Sequence, residues 1–243
     1  MSSQEDNINQ YLKIRRQLRT RKLDPTACAL IVVDMQEYQV SEDSSVVRLF
    51  EKTVPGLLQY FLGRVKELVI PNIIHLLEFF RAHDLPVYFT KFASMRPDRK
   101  DYAGNIRAVN KLAVNLIDEP IFPDKKDPSA SIIPALTPQG NDVIILKTTS
   151  GTFSSTDLDH QLRNLGVSMI IVTGVVTNFC VENTARIAAD LGYNVVLVDD
   201  ACAAWTSSLH EATLCNIELM YGSVLTTREV LKKLKKNIQS AVI

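Results

Sequence analysis

The sequence is short of the residues and patterns that mark several large classes of protein. Its 243 residues include only nine glycines, ten prolines and one tryptophan, a composition that argues against a fibrous or disordered chain. Lysine plus arginine equals aspartate plus glutamate at 27 each, so no global charge attracts nucleic acid or an acidic membrane. No apolar run approaches the roughly 20 residues of a membrane span. The polar N-terminus also lacks the apolar core of a secretory signal.

Cysteine is scarce as well. The four cysteines show neither a CxxC pair nor any spacing typical of metal ligands: Cys28, Cys180, Cys202 and Cys215. They are typical of reduced thiols in an intracellular protein rather than of a disulfide framework. We therefore expect a cytoplasmic protein with neither a nucleic-acid partner nor a membrane partner.

The chain is nevertheless rich in buried-type residues, with 46% hydrophobic residues, and short apolar runs alternate with longer amphipathic ones. The runs predict strands at 28–33, 86–91, 142–147, 168–174 and 193–200, and helices near 70–85, 156–165, 179–191, 207–221 and 227–238. Strands that are apolar on both faces and alternate with helices indicate an α/β fold with a parallel sheet covered on both sides.

Three stretches depart from this alternation. Residues 1–23 are polar and basic, and we interpret them as a helical extension that precedes a single domain over 24–243. Residues 37–69 read as an acidic loop followed by an amphipathic segment, longer than a usual connection between a strand and a helix. Residues 119–138 hold five of the ten prolines, and we expect an ordered surface loop there because βα units continue after it.

Polar side chains with distinct chemistries occupy three predicted strand ends, where open α/β sheets bind ligands. Asp34 follows the first strand, Lys147 ends the third, and Cys180 follows the fourth at the start of a helix. A thiol at a helix N-terminus is expected to have a lowered pKa. A carboxylate can take its proton, and a lysine can hold the charges in balance. Each position also has a structural interpretation, as a turn cap, a snorkelling lysine or a buried thiol.

The histidines do not suggest a Cys/His pair. His75, His83, His160 and His210 all fall on predicted helices or at helix ends, where each is interpreted as a surface residue or a satisfied helix residue. A papain-like arrangement is therefore disfavoured.

Three segments together resemble one family. The segments "ALIVVDMQ", "ILKTTSGTFSSTDLD" and "VTGVVTNFCVENTARIAADLGYNVVLVDDA" are similar to the signature regions of the isochorismatase-like cysteine hydrolases, and the resemblance extends over residues 24–226. It implies a three-layer α/β/α fold with a six-stranded parallel sheet. It also implies a catalytic triad of Asp34, Lys147 and Cys180.

The resemblance implies two further features of the site. One is a cis peptide bond between Val175 and Val176, neither of which is proline. The other is an oxyanion hole formed by the backbone N–H groups of Val176 and Cys180. From the residues alone, "GVVTN" is also compatible with an ordinary strand exit.

The members of this family differ in metal use and in substrate. Nicotinamidases carry an Asp-x-His motif and a second histidine for a metal after the second strand, whereas residues 90–105 contain no histidine. We therefore predict no metal and no cofactor, and nicotinamidase activity becomes the weaker interpretation. Retention of Cys180 favours attack on a carbonyl and cleavage of a C–N bond in a small amide or ureido substrate.

Substrate-binding residues are less clearly indicated. Arg96, with Arg99 and Lys100, follows the second strand and can bind a substrate carboxylate, although such a charge run also suits a solvated loop. Phe153 and Trp205 are candidate pocket residues, and both also suit the core. The family commonly forms oligomers, so we expect a homo-oligomer, a dimer or tetramer. Isochorismate (vinyl ether) hydrolysis, a non-enzymatic scaffold and a redox sensor built on Cys180 stay as alternatives.

Overall fold

The computed structural model describes residues 4–18 and 23–241 and forms one six-stranded sheet. All strand pairs are parallel, in the order β3-β2-β1-β4-β5-β6. The strands are β1 (Cys28–Val33), β2 (Val87–Phe92), β3 (Val143–Lys147), β4 (Met169–Val175), β5 (Asn194–Ala203) and β6 (Gly222–Leu225). The five strands predicted from apolar runs are therefore present: β1 has the predicted bounds, and the bounds of the others are shifted by at most three residues.

The sixth strand escaped pattern recognition because it is short and lies at the edge of the sheet. β6 has four residues, and only its first, Gly222, is buried. A Cβ atom at Gly222 would lie 2.6 Å from the carbonyl oxygen of Val195, so the close pairing of β6 with β5 requires glycine there.

Helices cover both faces of the sheet, as predicted. They are α1 (Gln4–Leu18), α2 (Glu37–Val40), α3 (Ser45–Thr53), α4 (Gln59–Arg64), α5 (Ile70–Ala82), α6 (Gly104–Ile117), α7 (Leu158–Asn164), α8 (Glu182–Asp190), α9 (Ser207–Asn216) and α10 (Thr227–Ala241). Alternate residues of β1 point to opposite sides: Leu30 and Val32 join a core with α5 and α10, while Ile31 and Val33 join a core with α7 and α8.

The segment 37–69, expected as an acidic loop followed by an amphipathic segment, is helical over most of its length. It forms α2, α3 and α4, and α4 runs through a π-helical turn (Val65–Val69) directly into α5. Pro71 lies at the second position of α5 and lacks the N–H that an α-helical hydrogen bond would use. The wider turn just before Pro71 accommodates this loss, so the helical path continues from α4 into α5 although proline normally occurs only at the start of a helix.

Helix α6 was not predicted at all. Its exposed residues include Val109, Leu112 and Val114, so polar and apolar positions do not separate into two faces. The following proline-rich loop is ordered, with short 3₁₀ turns at Pro128–Ala130 and Pro134–Leu136. The side chain of Asn110, on α6, anchors the start of this loop: its Oδ1 accepts hydrogen bonds from the backbone N–H groups of Ile121 and Phe122 at 3.1 and 2.8 Å.

The N-terminal extension is partly described. Its helix α1 contacts the body through Arg16, whose Nη2 lies 2.6 Å from Oε2 of the buried Glu218. Residues 1–3 and 19–22 of the expected extension lie outside the described residues, and the domain boundary at residue 23 stays a prediction. Across the described residues, no helix is both long enough and apolar enough to cross a membrane.

The strand order brings the two central strand ends together. The chain builds β1, β2 and β3 outward on one side, and then returns to place β4 on the other side of β1. A reversal of this kind is a topological switch point, where a crevice opens beyond the carboxyl ends of the strands. Asp34 follows β1 and Cys180 follows β4, so both lie at this crevice.

Candidate active site

The carboxylate of Asp34 is buried and fixed from two sides. The hydroxyl of Thr90, on β2, donates to Asp34 Oδ1 at 2.6 Å and accepts the Asp34 backbone N–H at 3.1 Å. Nζ of Lys147 lies 2.7 Å from Asp34 Oδ2. Each oxygen therefore has a partner that orients it, and each keeps lone-pair capacity for a proton.

Gly174, on the neighbouring strand β4, lets the backbone of β1 pass close by where it leads into Asp34. Gly174 of β4 has a φ of +102°, and a Cβ atom on it would lie 2.1 Å from the carbonyl oxygen of Val33. Val33 immediately precedes Asp34, which itself has a φ of +47°. The close approach of β1 and β4 therefore requires Gly174, and it helps to fix the Asp34 backbone in a strained conformation.

Lys147 is completely buried and uses its ammonium donors inside the protein. Besides its ion pair with the Asp34 carboxylate, Nζ donates to the carbonyl oxygens of Thr149 and Ser150 at 3.1 and 3.0 Å, and it lies 4.8 Å from the centre of the Phe92 ring. Burial acts to lower the pKa of Lys147, but the neighbouring Asp34 and Cys180 groups outweigh it and raise that pKa. The side chain is a fixed positive charge.

Cys180 lies in a π-helical turn, Thr177–Val181, that precedes α8. The thiol is half-buried, and the Ser150 hydroxyl donates to its Sγ at 3.8 Å. Burial raises the pKa of Cys180 to about 12, Lys147 opposes the rise and Asp34 adds to it. The expected lowering of the pKa is therefore wrong. The sulfur is desolvated beside a carboxylate, and desolvation outweighs the helix terminus and the lysine.

The peptide bond between Val175 and Val176 is cis, as the family resemblance implied. The carbonyl oxygen of Val176 then accepts the backbone N–H groups of Phe179 and Val181 at 2.9 and 3.4 Å. These bonds close the tight turn that presents Cys180. The role of the Val176 and Cys180 N–H groups as an oxyanion hole stays a prediction.

The structure brings Asp34, Lys147 and Cys180 together, but it does not bring Phe153 to them. Phe153 packs in the core beneath α8, with its ring 5.9 Å from that of Tyr193, which immediately precedes β5. The ring therefore points toward the amino-terminal end of the sheet. The core interpretation of this aromatic residue is the one that the packing supports.

Arg96 and Trp205 have different surroundings. Arg96 forms a two-pronged ion pair with Asp98 at 2.9 and 2.8 Å, and its side chain is 60% exposed, as a solvated loop requires. Trp205 packs edge-on against Phe50 and against Phe179, with ring centroids at 4.9 and 5.3 Å. Phe179 is the neighbour of Cys180, so Trp205 borders the turn that carries the thiol.

Sequence reasoning missed three polar groups at the site. Thr90 contacts Asp34, and Ser150 contacts Cys180. Neither has a distinctive sequence pattern, because Thr90 lies inside a strand and Ser150 lies in a loop rich in serine and threonine. Tyr38 of α2 is 2% exposed. Burial, followed by the charges of Asp34 and Cys180, raises its pKa well above the usual range, so its phenol stays neutral beside the site.

The donor groups of the described residues do not suggest a metal centre. Within residues 4–18 and 23–241, no three His, Cys, Asp or Glu side chains are grouped as ligands. The prediction of metal-independent chemistry follows from the missing histidines of residues 90–105 and stays a prediction.

The parallel sheet places the Asp34–Lys147 ion pair and Cys180 together beyond the carboxyl ends of its strands, as the family resemblance implied. Residues 28–229 match the family model described as the Isochorismatase domain. Since the match spans most of the chain, the protein belongs to the isochorismatase family.

Individual relatives include proteins named for amide hydrolysis. The chain is 30% identical over 221 residues to the uncharacterized isochorismatase family protein YwoC of Bacillus subtilis, covering 90% of this chain and 100% of that one. It is 27% identical over 224 residues to Nicotinamidase 3 of Arabidopsis thaliana, covering 91% and 97%. It is 40% identical over 95 residues to ureidoacrylate amidohydrolase RutB of Methylobacterium radiotolerans, covering 39% and 37%.

A solved structure gives the same relationship. The cysteine hydrolase from Pseudomonas syringae pv. phaseolicola superposes with a TM-score of 0.74 at 27% identity, covering 89% of this chain and 96% of that one. The predicted family resemblance and the predicted α/β fold are therefore confirmed.

Proposed function

We propose that the protein is a cysteine hydrolase that cleaves the C–N bond of a small amide or ureido substrate through a thioester intermediate. The observation that carries this proposal is the buried Asp34–Lys147 ion pair, with its 2.7 Å contact, beside the reachable thiol of Cys180. A paired carboxylate, a fixed cation and a thiol form the minimum set for proton transfer and nucleophilic attack without histidine.

In the first step, Cys180 attacks the substrate carbonyl while Asp34 takes the thiol proton. A thiol with a pKa of about 12 supplies very little thiolate at neutral pH. Proton transfer therefore accompanies formation of the S–C bond. Lys147 keeps the buried site from carrying uncompensated negative charge as the sulfur and the carbonyl oxygen become more negative.

The negative charge on the carbonyl oxygen needs donors of its own. We assign this role to the backbone N–H groups of Val176, which precedes the turn after β4, and of Cys180, which lies within it. Hydrogen bonds from fixed backbone groups in a water-poor site are among the largest contributions to catalysis of acyl transfer.

The remaining steps return the enzyme to its starting state. Protonated Asp34 gives its proton to the leaving nitrogen as the C–N bond breaks, releasing ammonia or an amine and leaving a thioester on Cys180. Asp34, again a carboxylate, removes a proton from water as the water attacks the thioester. The acid product leaves, and Asp34 returns its proton to the Cys180 sulfur.

The names of two relatives support an amide or ureido substrate. Nicotinamidase 3 and ureidoacrylate amidohydrolase RutB are both named for hydrolysis at a C–N bond. The RutB match spans only 37% of that protein, so it favours the reaction class and not ureidoacrylate itself. Hydrolysis of a vinyl ether such as isochorismate has no need of a thiol nucleophile, and its products differ.

The test is ammonia release from a panel of substrates by the wild type and by Cys180→Ala. The panel contains biuret, ureidoacrylate-like acids, N-carbamoyl amino acids, nicotinamide and simple amides, with isochorismate as the competing substrate. Cys215→Ala is the matched control, because Cys215 is also a half-buried free thiol but lies on α9 away from the ion pair. We expect release that is lost in Cys180→Ala and kept in Cys215→Ala. Release that survives in Cys180→Ala would contradict the proposal, as would cleavage of isochorismate alone.

A further inference from the structure

A chain of buried hydrogen bonds lies directly behind the turn that carries Cys180. Thr177 begins this turn, and its Oγ1 lies 2.9 Å from Nδ1 of His210, on α9. Nε2 of His210 lies 2.9 Å from Oδ1 of Asp199, on β5. Arg64 of α4 donates from Nη2 to the same carboxylate oxygen at 3.0 Å. Residues of α4, β5 and α9 thus form a connected series of polar contacts that ends at the first residue of the turn.

The imidazole of His210 is held by three polar partners. The Asp199 carboxylate can only accept a hydrogen bond and the Arg64 guanidinium can only donate one. Nη2 of Arg64 lies 3.0 Å from His210 Nε2, so the ring is fixed between this charged pair on one side and the Thr177 hydroxyl on the other. The hydrogen bond from His210 lowers the pKa of Asp199, burial opposes this effect, and the electrostatic effects of His210 and Arg64 add to it. The carboxylate therefore stays ionised and keeps its hold on the imidazole.

Burial determines what this arrangement can do. A hydroxyl, an imidazole and a carboxylate in this order also occur in serine hydrolases. Here, however, Thr177 is 0% exposed and His210 is 3% exposed, and the hydroxyl is engaged by the imidazole of α9. The chain of bonds instead acts on the backbone of the Thr177–Val181 turn.

We propose that Thr177, His210 and Asp199 form a positioning device that fixes the turn and so aims the Cys180 sulfur and the Val176 N–H at the reacting carbonyl. This inference rests on the proposed hydrolase function. Neither Thr177 nor His210 carries chemistry of its own. A loosened turn still binds substrate but presents the nucleophile less accurately, so the effect falls on kcat and not on KM.

The test compares Thr177→Val, which keeps the shape of the side chain and removes its hydroxyl, with Thr177→Ser, which keeps the hydroxyl. We expect kcat to fall by roughly tenfold or more in the valine variant, with KM within about twofold, because misplacement of a reacting group costs rate more than binding. The serine variant should stay within about threefold of the wild type.

Thr173→Val is the matched control. Thr173 is a fully buried threonine on β4 whose hydroxyl donates to the carbonyl oxygen of Ile31 at 3.1 Å, and it makes no contact with the chain of bonds. A wild-type kcat in Thr177→Val would overturn the inference, as would equal losses in Thr177→Val and Thr173→Val. Should Thr177→Val fail to fold, His210→Asn and His210→Gln replace it. Asparagine places an amide near the Nδ1 position that faces Thr177, so it should keep more kcat than glutamine.

A second readout separates this inference from the proposed function. The rate at which iodoacetamide alkylates Cys180, followed on its own peptide by mass spectrometry, needs no substrate. If the wild type hydrolyses nothing, the proposed function fails, and the alkylation rate then decides the positioning role. We expect a changed rate in Thr177→Val and an unchanged rate in Thr173→Val. Identical rates in both variants and the wild type would overturn the inference.

Discussion

The base of the proposed mechanism depends on one hydroxyl that does not itself react. Thr90 donates to Asp34 Oδ1 at 2.6 Å and is completely buried, so no water can replace it in the folded protein. It turns the carboxylate toward Cys180 while Lys147 holds the other oxygen. Thr90 is therefore a positioning residue whose loss leaves all three proposed catalytic groups present.

We predict that Thr90→Val, which keeps the volume of the side chain, lowers kcat by up to roughly 100-fold because the carboxylate is no longer oriented. Thr90→Ser should restore most of the activity, since the hydroxyl returns. Steady-state kinetics on the best substrate of the panel checks both variants. Full activity in Thr90→Val would show that the ion pair with Lys147 orients Asp34 without help.

The raised pKa of Cys180 has a measurable consequence. With a pKa of about 12, the thiolate fraction and hence the alkylation rate should rise about tenfold per pH unit from roughly pH 7 to pH 10, without levelling off. A thiol with the ordinary pKa of about 8.5 would approach a plateau above about pH 9. Iodoacetamide labelling in a Cys215→Ala background measures this profile, and a plateau near pH 9 would contradict a neutral resting thiol.

The sequence indicated the three central side chains because Asp, Lys and Cys are conspicuous at strand ends. It did not indicate the direction of the Cys180 pKa shift, since that depends on how much of the surroundings is buried. Thr90 and Ser150 were missed for a similar reason. A hydroxyl residue becomes part of a site only by lying close in space to a partner that is remote in sequence. Thr90 and Asp34, for example, are separated by 56 positions in the chain.

At the scale of elements, the junction of β1 and β4 is the feature on which the site depends. Gly174 lets the two strands approach where Asp34 leaves β1, and no other residue type fits there. The apolar runs predicted both strands because each is buried on both faces. The boundaries of α3 and α4 were not predicted, since this part of residues 37–69 read as one amphipathic segment. Helix α6 was not predicted, because its exposed side carries apolar residues such as Leu112.

We predict that Gly174→Ala destabilises the fold by about 3 kcal/mol or more, the upper range for overpacking, because its Cβ would overlap the Val33 carbonyl. Gly63→Ala is the matched control. Gly63 lies within α4, and a Cβ there meets nothing within 4 Å, so alanine should be neutral or stabilising by up to about 1 kcal/mol. Urea unfolding measures both. Equal stability of the two variants would contradict the role given to Gly174.

At the scale of the whole molecule, the N-terminal helix is attached through a buried charge. Glu218 is 5% exposed, and its carboxylate is paired with Arg16 of α1. Loss of that partner leaves a buried carboxylate without compensation. The contact lies by the amino-terminal end of β6, whereas the candidate site lies beyond the carboxyl ends of the strands, so the two should be independent.

We predict that Arg16→Ala lowers the free energy of unfolding by about 1–3 kcal/mol, since a buried acceptor loses its partner, and leaves kcat unchanged. In a Glu218→Gln background the same substitution should cost much less, because the buried charge is already gone. Thermal unfolding of the four proteins checks this double-mutant cycle. Additive effects would show that the pair does not hold α1 to the body.

The family resemblance implied six parallel strands, and the polar strand ends indicated where the site lies. The order of the strands was not predicted, because strand order is a long-range property that no local pattern encodes. The dimer or tetramer expected from the same resemblance stays a prediction, which sedimentation of the purified protein measures. The cytoplasmic location expected from the sequence also stays a prediction. Neither bears on the chemistry, since the described residues of a single chain supply the whole Asp34–Lys147–Cys180 cluster.

The most direct test of the account is capture of the thioester by hydroxylamine during turnover. If Cys180 carries the acyl group, hydroxylamine competes with water for it. The product then divides between the acid and a hydroxamate, or an N-hydroxyurea for a ureido substrate, in a ratio that rises with hydroxylamine concentration. Cys180→Ala should form neither product. Acid as the sole product at every hydroxylamine concentration, from an active enzyme, would contradict the thioester and with it the nucleophilic role of Cys180.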